Sequence, residues 1–337
     1  MPTSPRPADA DADENASYVS TGHLPAPETV DDLVRQAHER FRSKGDGKVS
    51  DVYPTLAAAS PDLFGLCIVE TKGAIHAAGD WDVPFPIMSV SKPFVFALVC
   101  DLLGPDAVRD RIGVNATAHP FNSIAAIERS EDGRTNPMVN SGAIAATSLV
   151  PGDSFDERWA FLHDGLARFA GRALTVDEDV CACAMTSNTR NRAISQLLDS
   201  YGRIAGDPSD ALALYTRQCC LQVTAKDLAV MGATLADGGV NPLTRARVID
   251  PETCKRTLAV MAIAGLYETS GEWLYQVGLP GKSGIAGGLV TVSPGKGGIG
   301  AFSPLLDKAG NTVRGALAAR FLSDRLGLSM FASQPEP

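Results

Sequence analysis

The sequence predicts an α/β fold in which an antiparallel sheet is flanked by helices and interrupted by a helical insertion. Strand patterns stand near both ends of the chain, helical patterns fill the middle, and neighbouring strands are joined by short connections. Short connections indicate antiparallel pairing, because a parallel pair needs a crossover of a dozen residues or more. We therefore expect one domain over 28–330, with its sheet part in about 45–100 and 278–330 and its helical part in about 105–277.

Each element has its own signal. Residues 28–43 repeat apolar positions at helical spacing, and LFGLCIVE and AIHAAGD around the turn TKG predict a hairpin over 63–80. A helix that begins near Ser89 should end at about Leu103, before Gly-Pro. Towards the C-terminus, GLVTVSP and GIGAFSP predict two strands joined by GKG, and VRGALAARFLSDRLG predicts a last helix over 313–327.

Composition excludes several classes of protein. The chain has 337 residues and a net charge of −9, with no Lys/Arg-rich stripe, which argues against nucleic acid as a partner. No apolar stretch approaches the roughly 20 residues of a membrane span, so no membrane partner is expected. Residues 1–27 are rich in Ala, Asp, Pro and Ser and have no apolar leader, which predicts a disordered arm and a cytoplasmic protein.

The cysteines and histidines give no sign of a disulfide framework or a metal site. Seven cysteines, an odd number, and five scattered histidines favour reduced and mostly buried thiols in a chain of this length. Cys181 and Cys183 have no second pair at zinc spacing. The sequence therefore predicts neither a metal nor a cofactor.

The stretch PIMSVSKPFVFAL (86–98) is the first candidate for chemistry. Ser89 and Lys92 are three residues apart, and Pro93 places the helix start beside them. A lysine among apolar neighbours is desolvated, which lowers its pKa and allows it to take a proton from a serine nucleophile. The alternative is structural, with Ser89 only capping the helix and Lys92 extending to water.

A second stretch, GLPGKSGIAGG (278–288), favours the catalytic interpretation. Lys-Ser-Gly before a strand resembles the strand that accompanies Ser-x-x-Lys in penicillin-recognising enzymes. The backbone N–H groups of Ser89 and Ile285 would then form an oxyanion hole. The alternative is an edge strand with a glycine-rich turn.

Longer motifs resemble a single family. SPDLFG and SVSK are followed in order by RTNPMVNSGAIAATSL, TRNRAISQLL, LYTRQCCLQVTAKDLAVMGATLADGGVNPLT, GLYETSGEWLYQVGLPGKSGIAGG and VSPGKGGIGAFSPLLDKAGNTVRG. Together they resemble the serine-dependent glutaminases over about residues 45–328. The resemblance implies a β-lactamase/penicillin-binding-protein-like fold and a homodimer or homotetramer. It also implies hydrolysis of the side-chain amide of L-glutamine, a small-molecule substrate, to glutamate and ammonia without metal or cofactor.

The same resemblance assigns roles to individual residues. It makes Ser89 and Lys92 the catalytic pair and Tyr267, in GLYETSG, a proton relay, while Ile285 supplies the second oxyanion N–H. It also implies three substrate-binding residues, which are Asn140 in MVNSG, Asn191 in TRN, and Tyr215 in LYTRQCC.

Three positions depart from the family pattern. Met88 stands where the family commonly has Gln, and Ala184 stands where it has a glutamate that would pair with the α-ammonium of glutamine. Val52 occupies the place of a family tyrosine, with Tyr53 one position on. The acidic residues upstream of Ala184, in TVDEDV, are expected to form a solvated loop.

These departures leave the substrate open. The leading interpretation is a serine amidohydrolase acting on glutamine or on a modified, less cationic glutamine. The alternatives are an acyltransferase or amidase with another substrate, and a catalytically silent binding protein on a glutaminase-like scaffold. The retained Ser89, Lys92 and Tyr267 favour an enzyme.

Overall fold

The strands lie at both ends of the chain, as predicted, with three short ones in between. The computed structural model describes residues 23–333. In that part of the chain the strands are β1 (Gly65–Glu70), β2 (Ile75–Gly79), β3 (Phe85–Pro86), β4 (Thr175–Val176), β5 (Leu221–Val223), β6 (Gly281–Ser283), β7 (Gly288–Ser293) and β8 (Gly297–Phe302).

Helices make up most of the remainder. In chain order they are α1 (Pro27–Phe41), α2 (Pro54–Ala57), α3 (Ser91–Leu103), α4 (Pro105–Ile112), α5 (Ala125–Glu128), α6 (Asn140–Ser148), α7 (Phe155–Ala170), α8 (Glu178–Ser187), α9 (Thr189–Ser200), α10 (Pro208–Cys219), α11 (Ala225–Ala236), α12 (Pro251–Ala264), α13 (Ser270–Val277) and α14 (Val313–Arg325). Two single 3₁₀ turns, Met88–Val90 and Tyr267–Thr269, precede α3 and α13. None of the helices in the described residues is both long and apolar enough to cross a bilayer.

The main sheet confirms the predicted antiparallel layout. Its order is β2-β1-β8-β7-β6, and every neighbouring pair is antiparallel. Side chains of β1 alternate between two cores. Cys67 and Val69 face the core shared with the helical insertion, whereas Leu66 and Ile68 face the core formed with α1 and α14. The sheet thus separates two apolar layers, and the last helix of the chain returns to complete it.

The helix that covers the inner face of the sheet, α11, comes from the inserted segment. It contacts β1, β7 and β8. Glycines allow this close approach, because a Cβ on Gly300 would lie 1.9 Å from the carbonyl oxygen of Ala225 and one on Gly298 would lie 2.4 Å from that of Ala229. The inserted segment is therefore fastened to the sheet by backbone-to-backbone packing.

A small second sheet, in the order β3-β5-β4, was not predicted. Its strands have only two or three residues, too few for an alternating pattern to be visible in the sequence. It pairs Phe85 with Val223 and Pro86 with Gln222, which joins the chain entering α3 to the chain leaving α10. The sheet thus fixes the segment before Ser89 against the helical insertion.

Some predicted bounds differ from the observed ones. The first helix spans Pro27–Phe41 rather than 28–43 and the last ends at Arg325 rather than 327. The apolar face predicted for α1 is confirmed, since Val30, Leu33, Val34 and Ala37 are buried. Most of the predicted N-terminal arm lies outside the described residues, and the expected single domain remains a prediction.

Candidate active site

Ser89 lies in the 3₁₀ turn that leads into α3, and Pro93 falls in the first turn of that helix, as predicted. The serine is 8% exposed, and its side chain lies near the hydroxyl of Tyr267, whose pKa it lowers. The residue before it, Met88, has a left-handed backbone with φ of 48°, and Tyr267 has φ of 54°. Two non-glycine residues in this strained region therefore flank the serine.

A small cavity of about 70 Å³ opens beside Ser89. Its wall contains hydroxyl, amide, phenol, thiol and apolar side chains, contributed by Tyr53, Met88, Ser89, Phe121, Asn140, Ala184, Asn188, Asn191, Tyr215, Thr216, Cys219, Cys220 and Ile285. Eight of the ten residues predicted for the site are in this wall. The other two, Lys92 and Tyr267, lie behind it and contact wall residues.

Lys92 is buried, with 1% of its surface exposed, as its apolar neighbours predict. Its Nζ donates to Asn140 Oδ1 at 2.7 Å and to the carbonyl oxygen of Met138 at 3.5 Å. Among the described residues it forms no hydrogen bond with Ser89. The lysine is therefore connected to the cavity through Asn140 rather than through the serine.

Burial lowers the pKa of Lys92 from 10.5 to about 8, and only a weak opposing effect of Cys219 raises it. Its partners are neutral oxygens, so no carboxylate compensates for the desolvation of the ammonium. A lysine with this pKa has about one tenth of its molecules in the neutral form at pH 7. It can therefore accept a proton near neutral pH.

The asparagines form a directional chain across the cavity. Asn140 Nδ2 donates to Asn191 Oδ1 at 2.9 Å, and Asn191 Nδ2 donates to Asn188 Oδ1 at 2.8 Å. Asn188 Nδ2 then donates to Thr216 Oγ1 at 2.7 Å. Each amide fixes the orientation of the next, so α6, α9 and α10 present a rigid polar wall.

Tyr267 connects Ser89 to a second buried lysine. Its hydroxyl donates to the carbonyl oxygen of Ser283 at 3.1 Å, and Lys282 Nζ donates to the same oxygen at 2.7 Å. The ammonium lies 4.3 Å from the centroid of the Tyr267 ring. Burial raises the pKa of Tyr267 and nearby Ser89 lowers it by less, so the phenol stays protonated. Burial, assisted by Lys92, lowers the pKa of Lys282 well below its usual value.

The backbone N–H of Ile285 is available to a ligand. Within residues 23–333, no carbonyl or side chain accepts a hydrogen bond from it. Ile285 follows β6 and lies in the same cavity wall as Ser89. Oxyanion holes are built from unpaired N–H groups beside a nucleophile, so this N–H is a candidate for one.

Two of the three positions that depart from the family pattern, Met88 and Ala184, lie at this cavity. Met88 is 4% exposed and Ala184 is 3% exposed, and both are in the wall. Val52 is 54% exposed and faces away, whereas Tyr53 lines the cavity. The one-residue offset in the sequence therefore still supplies a tyrosine ring to the site.

The phenol of Tyr53 differs from that of Tyr215 in its partners. Tyr215 donates to Asn140 Oδ1 at 3.1 Å, while the Tyr53 hydroxyl has no hydrogen-bond partner among the described residues. Burial, with a smaller effect of Cys219, raises the pKa of Tyr53 to about 12. Tyr53 is therefore a neutral donor that a ligand can use.

Several residues of the site were missed from the sequence. Asn188 and Cys219 were not singled out, although both lie within the quoted family motifs or next to them. Lys282 belongs to the Lys-Ser-Gly motif singled out from the sequence, but it was given no role there. Phe121, which packs on Tyr267 with ring centroids 4.8 Å apart, has no signal in its loop sequence.

The acidic residues upstream of Ala184 begin α8 instead of forming the expected loop, although Glu178 and Asp179 are exposed to solvent. Asp177 caps α8 by accepting from the N–H of Val180, and Glu178 lies 3.5 Å from Arg217. Cys181 is close to Cys220, which lies in the cavity wall. All seven cysteines are free.

Known proteins with similar sequences and structures are glutaminases. A sequence model of the family described as Glutaminase matches residues 47–331. "Glutaminase 2" of Yersinia pestis is 64% identical over 94% of both chains, and a glutaminase of Colwellia psychrerythraea is 45% identical over 91% of this chain and 99% of its own.

Solved structures agree with this. A probable glutaminase superposes with a TM-score of 0.90 at 41% identity, covering 91% of this chain and 99% of its own. A probable glutaminase from Bacillus subtilis, complexed with 6-diazo-5-oxo-L-norleucine, gives a TM-score of 0.81 at 28% identity, covering 89% and 96%. These matches confirm the β-lactamase-like fold, and the chain belongs to the glutaminase family.

Proposed function

We propose that this protein hydrolyses the side-chain amide of L-glutamine to L-glutamate and ammonia through an acyl-enzyme on Ser89. The observation that carries the proposal is the shared cavity wall, in which Ser89 stands beside the unpaired backbone N–H of Ile285. The names of the relatives support the same reaction. So does the ligand of the Bacillus subtilis protein, which is an electrophilic analogue of glutamine.

In the first half of the reaction, Ser89 Oγ attacks the amide carbon and its proton passes to the neutral amine of Lys92. The backbone N–H groups of Ser89 and Ile285 hold the oxyanion of the tetrahedral intermediate. In the structure, Lys92 is bound to Asn140. When substrate enters, Lys92 would leave Asn140 and move toward Ser89, since catalytic hydrogen bonds often shorten only in the enzyme–substrate complex.

In the second half, the C–N bond breaks and ammonia leaves. Tyr267, whose phenol stays protonated because burial raises its pKa, relays the proton held by Lys92 to the departing nitrogen. Water then attacks the ester on Ser89, and the acid is released as the serine regains its proton. The polar wall formed by Asn191, Tyr53 and Tyr215 would orient the amino-acid end of the substrate.

Labelling of the serine tests this proposal. The purified protein is treated with 6-diazo-5-oxo-L-norleucine and weighed intact, and ammonia release from L-glutamine is measured in parallel. We expect one adduct per chain, mapped to Ser89 by peptide mass spectrometry. Ser89→Ala should lose both the adduct and at least about 10³-fold in kcat, the range found when a nucleophile is removed.

The matched control is Ser91→Ala, because Ser91 is buried two residues away and donates to the carbonyl of Met88. This variant should still be labelled on Ser89. An unlabelled wild type that releases no ammonia would overturn the proposal in favour of a binding protein. Labelling at another residue would overturn the role of Ser89.

We further propose a cytoplasmic homodimer or homotetramer. The seven free cysteines support a reducing compartment. Light scattering coupled to size-exclusion chromatography tests the assembly, and a monomer at micromolar concentration would contradict it.

A further inference from the structure

The wall of the Ser89 cavity contains no acidic side chain. The buried charged groups that contact residues around the cavity are lysines. Lys92 binds Asn140, and Lys282 lies against the ring of Tyr267. Within the described chain, the site therefore combines two buried lysines with neutral amides, phenols and thiols.

This charge pattern is unfavourable for one end of free glutamine. The amino acid carries an α-ammonium, and a desolvated ammonium needs a carboxylate or a set of acceptor oxygens. Position 184 would be suited to supply one, but it holds an alanine whose side chain is 3% exposed and faces the cavity. Lys92 in its protonated form adds repulsion to the missing partner.

Nearby carboxylates are engaged elsewhere. Asp177 caps α8 and also accepts from Gln222 Nε2 at 3.3 Å. Glu178 faces Arg217, and Asp179 is exposed on the first turn of α8. Glu268 lines a separate cavity on the other side of Phe121. None of these groups lies in the wall beside Ala184.

Apolar space adjoins the same side of the site. A second cavity of about 240 Å³ shares Ile285 with the first. Its wall is mainly apolar, including Leu56, Val83, Phe85, Val180 and Phe302, and its one carboxylate among the described residues is Asp177, which caps α8. Val180 and Ala184 are one turn apart on α8. Val180 lines the second cavity and Ala184 lines the Ser89 cavity. An apolar group attached near Ala184 therefore has a neighbouring space to enter.

We propose that this site accepts glutamine derivatives whose α-nitrogen is uncharged, and that N-acylated glutamines with a short apolar acyl group are its better substrates. The acyl group would lie toward the cavity bounded by Ile285 and Val180. The reaction is unchanged: water replaces the side-chain nitrogen, ammonia leaves, and the acyl–nitrogen bond remains intact. This inference rests on the proposed function.

The test compares ammonia release from L-glutamine, N-acetyl-L-glutamine and N-butanoyl-L-glutamine by the wild-type protein. We expect kcat/KM for the butanoyl compound to equal or exceed that for glutamine. A preference of more than 100-fold for free glutamine over both acylated compounds would overturn the inference. The wild-type ratio decides the question even if every variant fails to fold.

Two matched variants locate the effect at position 184. Ala184→Glu should raise kcat/KM for glutamine at least tenfold and lower it for the acylated compounds at least tenfold. The side chain introduced by Ala184→Gln has nearly the size of the one introduced by Ala184→Glu but no charge. This variant should therefore give no gain in kcat/KM with L-glutamine as substrate. Equal ratios in the two variants would contradict the electrostatic argument.

The outcomes separate this inference from the proposed function. Ammonia released from glutamine alone, and lost in Ser89→Ala, leaves the glutaminase standing and removes the substrate preference. No ammonia from any of the three amides, with no difference between wild type and Ser89→Ala, removes both.

Discussion

Lys92 Nζ donates a 2.7 Å hydrogen bond to Asn140 Oδ1, and the same oxygen accepts a 3.1 Å hydrogen bond from the hydroxyl of Tyr215. The buried ammonium is thus held by a neutral amide. Because no carboxylate stabilises the charge, burial alone sets the low pKa of the lysine. The following three predictions depend on this pairing.

The rate should follow the deprotonation of Lys92. If its neutral amine is the base, log kcat/KM rises by about one per pH unit below the pKa of about 8 and levels off above it. The measurement is a profile from pH 6 to 9 with N-acetyl-L-glutamine as well as glutamine, because the acylated compound has no amino group that titrates in this range. A flat profile between pH 6 and 8 would rule out Lys92 as the base.

A charge placed on the partner should move that profile. In Asn140→Asp a carboxylate faces the ammonium, which favours the protonated form and raises the pKa of Lys92. We expect the rising limb to shift upward by at least about one pH unit. Asn191→Asp, one step further along the chain of amides, is the comparison and should shift it less. Equal shifts would show that the contact of Lys92 with Asn140 is not decisive.

The buried lysine should destabilise the fold near neutral pH. Its pKa is about 8 in the folded protein and 10.5 in the unfolded chain, so the unfolded state binds more protons between these values. Burial of Lys92 therefore lowers the free energy of unfolding by about 3 kcal/mol below pH 8, and this loss disappears as the pH rises to 10.5.

Urea unfolding checks this cost. Lys92→Met should raise the free energy of unfolding at pH 7 and lose that advantage by pH 10, while abolishing activity. Lys255→Met serves as the control, because that lysine side chain is 69% exposed and should have no such pH dependence. A destabilised Lys92→Met at pH 7 would contradict the prediction.

The sequence predicted those parts of the site that short-range patterns determine. Pro93 fixed the start of α3 near Ser89, and apolar neighbours predicted the burial of Lys92. The partners of Lys92 could not be predicted in this way. Asn140 and Met138 reach it from a segment more than 40 residues away, and only the packing of α6 against α3 brings them together.

The limit to short-range patterns also explains which parts of the fold were missed from the sequence. Six-residue strands such as β7 and β8 were predicted, whereas β3, β4 and β5 were missed because two or three residues carry no periodicity. The placement of α11 on the sheet was also missed. Its sequence predicts a helix, but nothing local indicates that the glycines of β8, 60 to 75 residues later, provide its contact surface.

Tyr267 should matter through its hydroxyl. Tyr267→Phe removes the hydroxyl near Ser89 and its hydrogen bond to the Ser283 carbonyl, while the ring still packs on Phe121. We expect kcat to fall by about 10²-fold or more, the range for loss of a proton-transfer group, with KM little changed. Tyr275→Phe is the matched control, since Tyr275 is 91% exposed. A change in KM alone would assign Tyr267 to binding.

The contact between α11 and the sheet should tolerate no side chain at position 300 of β8. A Cβ on Gly300 would stand 1.9 Å from the carbonyl oxygen of Ala225, so Gly300→Ala must push the helix away. We expect the free energy of unfolding in urea to fall by about 3 kcal/mol or more. Gly271→Ala is the control, because a Cβ at that helical position has no atom within 4 Å and should leave stability equal or slightly higher. If the two variants unfold at the same urea concentration, glycine at position 300 is not what allows the inserted helix to rest on the sheet.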